Sequence, residues 1–339
     1  MSNKRMKIGI MGFGRIGRDF YRLAQKHDEL DIVVISDIGR AEILHYLLQI
    51  DGMDDDVKLE GNFLISGKSK SRIINGVEPR DIPWDMFDVD LVVDATHKYC
   101  SRHQMQEYID SGAKRVVISA LPRDDVDRLI VMGVNDSEIK KEDKLISAGS
   151  STTNTLALML SVLSKAHKIN QVMMTTIHAY TSDQPLQDTV GRDFRRSRSA
   201  AENIIPNVSP TPQWIGKILP EFKDKVAGIA LNVPVPRGSC LDLSLFFDSS
   251  DITIDAVNKT MKDAAAKMPR LIDVTEDPIV SSDVLGNEHT LLFDSQATMK
   301  TKSRIVKTIA WYDNGLAHAS RILDIVLAYK NLDDKGGVK

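Results

Sequence analysis

Four hydroxyl side chains in a row, Ser150, Ser151, Thr152 and Thr153, with Asn154 behind them, stand directly before Leu156, Met159, Leu160 and Leu163. Those apolar positions have the spacing of one helix face, so residues 152–168 are predicted as a helix with the hydroxyl run at its start. The first N–H groups of a helix have no partner within it, and the aligned peptide dipoles leave positive charge there. A phosphate or a developing oxyanion is stabilised at such a place, and a thiol ionises more easily there. Ser151 occupies the position best suited to a reactive group, yet it carries a hydroxyl. Serine and threonine are also common helix caps, so the run alone admits a purely structural reading. His178 shifts the balance. It lies late in a β-branched segment, 172–181 ("VMMTTIHAYT"), where an imidazole leaving the strand end toward the helix start could serve as a base.

A second constellation lies near the N-terminus. "GFGRIG" puts Gly12, Gly14 and Gly17 in the G-x-G-x-x-G spacing after an apolar segment and ahead of a helical pattern, and a second apolar segment ends in Asp37. Glycine permits a tight turn and close approach of the backbone, and the helix start attracts a pyrophosphate. A carboxylate such as Asp37 accepts hydrogen bonds from both ribose hydroxyls and repels a 2′-phosphate, which favours NAD over NADP.

The segments that must hold these residues differ between the two halves of the chain. Residues 7–12, 31–37, 89–96, 115–120 and 129–135 are dense in Val and Ile with little alternation, as in parallel strands buried on both faces. Helical patterns at 18–26 and 102–111 lie between them. This predicts an α/β class: a Rossmann-type, doubly wound parallel sheet domain over 1–150. After residue 150 longer strand-like runs dominate, at 227–233, 239–247, 290–295 and 304–313, with one helix at 254–267 and a loop at 182–220. They predict an α+β catalytic domain over 151–315 with a mostly antiparallel sheet. A helix at 315–331 and a fraying polar tail complete the chain, with 316–339 expected to pack back on the first domain.

Composition excludes several classes. Lys and Arg number 44 against 47 Asp and Glu, a net charge of −3 that gives no reason to expect a nucleic acid or an anionic membrane as partner. Cys100 and Cys240 are too few for a disulfide framework and read as buried fillers, compatible with a cytoplasmic protein. Neither a cleavable leader nor a membrane span is expected, and no metal-ligand cluster stands out.

In order and spacing, "GFGRIGR" (12–18), "SSTTN" (150–154), "HAYTSDQ" (178–184), "RDFRRSRSAAENIIP" (192–206), "LPEF" and "WYDN" (311–314) resemble the glyceraldehyde-3-phosphate dehydrogenase family over nearly the whole chain. The resemblance implies a two-domain dehydrogenase, commonly a homotetramer, that oxidises a small phosphorylated aldehyde with NAD. In that family a cysteine attacks the aldehyde, hydride passes to nicotinamide, and inorganic phosphate cleaves the thioester. Carried onto this chain, the nucleophile position is Ser151 and the base His178. Arg15 and Ile16 would meet the pyrophosphate, Thr96 and Ser119 would line the adenosine and nicotinamide sides, and Asn314 would hold the nicotinamide carboxamide. Ser150, Thr152, Thr181 and Arg198 would contact the substrate's phosphate or the attacking one.

The chain also departs from the family pattern. Ser151 replaces the nucleophilic cysteine and Thr155 a second one. Ser209 and Pro210 take the place of a Thr-Gly pair in an anion site, and proline offers no N–H. Asn232 stands where the family has an arginine, which removes a charge-assisted contact to the substrate's phosphate. The expectation is a chain strongly impaired in phosphorylating oxidation. A non-catalytic NAD-binding regulator and an erythrose-4-phosphate-type dehydrogenase are the alternatives.

Overall fold

The computed structural model describes residues 4–52, 56–67, 69–191 and 193–336; Arg192, which opens one of the quoted motifs, lies outside them. The chain divides into two compact units. One comprises Met1–Ile130, Asn135–Ser150 and Ala319–Lys339, the other Val131–Val134 and Ser151–His318.

In the first unit β1 (Met6–Met11), α1 (Arg15–Gln25) and β2 (Leu30–Ser36) form the opening βαβ step, followed by α2 (Ala41–Gly52) and the short strands β3 (Lys58–Glu60), β4 (Phe63–Ser66) and β5 (Ser69–Ile74). Then come β6 (Leu91–Asp94), α3 (Arg102–Asp110), β7 (Val116–Ile118), β8 (Arg128–Leu129) and β9 (Leu145–Ser147). Nine strands make one sheet in the order β3-β4-β5-β2-β1-β6-β7-β9-β8, parallel except for the β3-β4-β5 ribbon at its edge. Ile8, Ile10, Val92, Val93, Val116 and Val117 are fully buried, as runs without alternation require. The expected strand at 129–135 shrinks to the two-residue β8, because the chain turns at Val134, whose N–H donates to Val131 O at 3.1 Å. β9 fills the sheet beside β7 instead. α2 has no counterpart in the sequence reading: Leu44 and Leu48 are buried, but Ile43, Tyr46 and Ile50 are exposed, so apolar residues surround the helix and mask its period.

The second unit contains α4 (Ser151–Ala166), β10 (Ile169–Ala179), β11 (Ile205–Val208), α5 (Thr211–Ile218), β12 (Val226–Val233), β13 (Ser239–Phe247), α6 (Ile254–Lys267), β14 (Ile272–Thr275), β15 (Leu291–Lys300) and β16 (Ile305–Tyr312). Its seven-stranded sheet runs β11-β12-β10-β13-β16-β15-β14 and is mostly antiparallel, with parallel pairs at β10-β12 and β14-β15. The mixed α/β architecture is the expected one. Three details differ. Every residue of α4 from Thr152 to Leu163 is buried, so that stretch has no solvent face, and exposure begins only at Lys165. The expected loop at 182–220 contains β11 and α5. The last helix, α7 (Leu316–Gly336), continues beyond residue 331. Within the first unit its end is held by Arg115, whose guanidinium donates to both oxygens of Asp333 at 2.7 and 3.0 Å, and by Tyr329, whose hydroxyl donates to Asp143 at 3.0 Å.

Candidate active site

The nucleotide turn is built by β1, α1 and β2. Gly12 has φ +89°, a conformation costly for any side chain, and a Cβ there would lie 2.8 Å from Thr96 Cγ2. At Gly17 a Cβ would meet Gly12 O at 2.1 Å, so this glycine sets how closely α1 approaches the strand end. Around Gly14, the residue preceding α1, a Cβ would find nothing within 4 Å. No side chain caps α1 and no acid sits in its first turn, a helix start whose dipole suits an anion. Arg15 and Ile16 open this helix, both half-buried. Asp37 accepts hydrogen bonds from Phe13 N at 2.7 Å and Gly39 N at 2.8 Å, one on each oxygen, so the backbone fixes its carboxylate while a lone pair on each oxygen stays available. These residues fit a dinucleotide: an open uncapped helix start for the pyrophosphate and an oriented carboxylate for ribose hydroxyls.

Thr96 and Ser119 follow the adjacent parallel strands β6 and β7. The Thr96 N–H and hydroxyl both donate to Asp94 Oδ1, at 2.7 and 2.6 Å, and Tyr108 OH donates to Asp94 Oδ2 at 2.9 Å. Burial holds the Asp94 carboxyl above its ordinary range despite these donors. Ser119 is buried, its N–H donating to Asp94 O at 2.8 Å.

In the second unit, Ser151 is the first residue of α4. Ser150 precedes it in the chain and follows Gly149, whose φ of +68° turns the backbone into the helix. Thr155 Oγ1 donates back to Ser151 O at 2.9 Å, and Thr153 shares a hydrogen bond of 3.0 Å with Thr211 of α5. The Tyr312 hydroxyl lies 2.9 Å from Thr152 Oγ1 and 2.8 Å from Thr176 Oγ1, joining the helix start to β10. Burial pushes its phenol up to about 12, so it stays protonated. The same tyrosine ring meets His178 edge-on, centroids 6.2 Å apart. Sequence reasoning quoted "WYDN" but gave this tyrosine no role; pairing across a sheet leaves no local signal.

His178 Nδ1 lies 2.6 Å from Ala179 O. A carbonyl oxygen only accepts, so Nδ1 carries the hydrogen and Nε2 is the basic nitrogen. Desolvation lowers the imidazole pKa from its ordinary value, outweighing the hydrogen bond to Ala179 and the charge of Asp183, so the ring is neutral near pH 7. Asn232 is the register partner of His178 on the parallel neighbour β12. Its Oδ1 is buried without a hydrogen-bond partner, as are Gln184 Nε2 and Asn314 Oδ1. Asn314, just past β16, therefore offers an unused acceptor of the kind a carboxamide N–H would satisfy.

Other expected phosphate contacts are engaged with partners of their own. The Thr181 hydroxyl donates to Asp183, and its N–H donates to Gln184 Oε1 at 3.2 Å. Arg198 is exposed and pairs with Asp188 at 2.9 Å. Ser209 Oγ accepts a long hydrogen bond from Thr211 N at 3.4 Å. Cys100 and Cys240 are buried, their thiols pushed up to about 11 by desolvation. Among the described residues no helix is long and apolar enough to cross a membrane, and no group of three or more His, Cys, Asp or Glu could hold a metal ion.

Comparison with known proteins agrees with this picture. Residues 6–102 match the glyceraldehyde 3-phosphate dehydrogenase NAD binding domain, and residues 150–314 match the C-terminal domain of the same family. Glyceraldehyde-3-phosphate dehydrogenase of Priestia megaterium is 37% identical over 94% of this chain and 97% of its own. Glyceraldehyde-3-phosphate dehydrogenase 2 of Bacillus subtilis is 37% identical over 95% and 96%, and the Mycobacterium leprae enzyme is 38% identical over 95% and 97%.

Proposed function

From the premise that this chain belongs to the glyceraldehyde-3-phosphate dehydrogenase family of NAD-dependent oxidoreductases, we propose that it oxidises a small phosphorylated aldehyde at Ser151 and His178, slowly because Ser151 is not a cysteine. The observation that carries the reading is the continuity from His178 to Tyr312 to Thr152, the neighbour of Ser151 at the start of α4. His178 Nε2 takes the proton of the Ser151 hydroxyl as its oxygen bonds to the aldehyde carbon. The resulting oxyanion is met by the backbone N–H of residue 151 and the protonated imidazole. NAD, when bound, accepts the hydride lost from that carbon. What remains is an ester on Ser151, which phosphate or water cleaves, His178 returning its proton to the leaving hydroxyl.

Two features make this slow. A neutral imidazole and a helix dipole generate a thiolate far more readily than an alkoxide, and an ester is a weaker acyl donor than a thioester. Gly12, Gly14, Arg15, Ile16, Gly17, Asp37, Thr96 and Ser119 serve the cofactor, and Asn314 Oδ1 suits its carboxamide. Ser150, Thr152, Thr181, Arg198 and Ser209 serve the anions. The protein works as a homotetramer; support comes from exposed Val190, Phe194 and Val208, each at least 87% accessible, apolar area that monomers seldom leave open.

Ser151→Cys tests the reading. NAD reduction with glyceraldehyde 3-phosphate is expected to rise by roughly 10²-fold or more, the order of gain from an activated nucleophile paired with its base. No gain with this or any of a panel of small aldehydes contradicts it.

A further inference from the structure

Asn232 sits where loss of a cation leaves an open question: what does this residue read? Neighbouring strands lie about 4.8 Å apart, and register partners on parallel strands point their side chains to the same face. Asn232 and His178 are such partners, so the carboxamide emerges beside the imidazole. Only 7% of Asn232 is accessible, yet its Oδ1 accepts no hydrogen bond. In the turn after β10, Gln184 is 5% accessible and its Nε2 donates none, although its Oε1 is used by Thr181. A buried carbonyl oxygen without a donor is destabilising, so such groups persist where a ligand completes them.

The unmet group beside His178 is an acceptor, and it calls for a donor. A phosphate dianion has only acceptor oxygens, so it could engage Asn232 only through Nδ2 and would leave Oδ1 unmet. Electrostatics point the same way. The charge of Asp183 acts on the imidazole. Arg196 pairs with Asp183 and Arg198 with Asp188. A hydroxyl both donates and accepts, so it suits Oδ1 and tolerates the amide in either orientation.

We infer that Asn232 recognises a hydroxyl on the aldehyde's carbon chain, not its phosphate, and so selects hydroxyaldehydes over their deoxy counterparts. The inference rests on the reading of His178 as the base of the reaction. It makes Asn232 a specificity residue in place of a lost anion contact.

The probes are glyceraldehyde 3-phosphate and 3-phosphooxypropanal, the same molecule without its hydroxyl, with NAD and the Ser151→Cys variant. The hydroxylated probe should be preferred by roughly 10²-fold or more in kcat/KM, since sites that hydrogen-bond a substrate hydroxyl reject analogues lacking it. Adding Asn232→Ala should bring the preference below about tenfold by slowing the hydroxylated probe alone. Adding Asn232→Asp, which keeps the shape and an acceptor, should retain it. Equal losses for both probes in Asn232→Ala, or loss of the preference in Asn232→Asp, overturns the inference. Thermal shifts of the unaltered Ser151 protein with NAD and each probe give an arm free of turnover. The hydroxylated probe should raise the melting temperature more, and Asn232→Ala should erase the difference; equal shifts in the unaltered protein overturn the inference too. If Ser151→Cys is inactive, the proposed reaction fails while this binding arm still decides the role of Asn232.

Discussion

The nucleotide turn and the start of α4 are both helix N-termini loaded with small or hydroxyl residues, but they differ in how far their polar groups are already matched. At the turn, Asp37 is gripped by two backbone N–H groups and Asp94 by Thr96 and Tyr108. The glycines there exclude side chains by contact with backbone. Beside His178, by contrast, Asn232 buries an unmatched atom, and Gln184 in the turn after β10 buries another. At the turn the carboxylates are oriented by the fold itself, while the start of α1 carries no side-chain cap. An unmatched buried atom of this kind is what the proposed substrate would complete, at some cost in stability.

Four substitutions sharpen or break this contrast. The largest effect is expected for His178→Asn in the Ser151→Cys background, a drop of about 10²–10⁴-fold in kcat/KM for loss of a general base, read by NAD reduction; a loss under tenfold removes His178 from the chemistry. Next, Gly17→Ala forces a Cβ onto Gly12 O and should destabilise the protein by about 1–3 kcal/mol in urea melts while weakening NAD binding. Tyr312→Phe strands Thr152 and Thr176 and should cost about 1–3 kcal/mol by the same melts; an unchanged midpoint shows that the tyrosine does not tie the helix to β10. Gly14→Ala is the counterpart of Gly17→Ala. With open space around its Cβ, stability should stay within about 0.5 kcal/mol while NAD titration shows weaker binding.

The smallest expected effect is on pH. Burial lowers the His178 pKa below its unfolded value of about 6.5, so the unfolded chain binds more protons as pH falls through that value. This histidine's contribution is therefore fully present above pH ~6.5 and declines below it, toward the folded pKa. In the unaltered Ser151 protein, an acid limb of kcat/KM caused by His178 should lie below 6.5. A limb above that pH shows that burial does not govern the group.

Much of the fold was legible because short-range pattern and long-range packing agree. β1, β2, β6 and β7 are buried on both faces, and their uninterrupted Val and Ile announce it. Where the two disagree, the reading stopped short. Residues 129–135 have strand composition, but Val131–Val134 joins the second unit and the sheet takes β9. β11 and α5 hide in a Pro- and charge-rich stretch because they are short and their stability comes from β12 and α4. Among site residues, the glycines and His178 were visible from spacing. Tyr312 and Gln184 were not, since their significance lies in partners distant in sequence or in an atom left without one.

The central claim is that the start of α4 and His178 form one reaction centre. Its most direct test is the rate of iodoacetamide alkylation of the Ser151→Cys protein as a function of pH, with and without His178→Asn. Native Cys100 and Cys240 are buried with raised pKa values and should stay silent below pH ~9. A thiolate at 151 should form well below the free-cysteine value of about 8.5, with a clear upward shift when His178 is replaced. An ordinary thiol near 8.5, indifferent to residue 178, would contradict it.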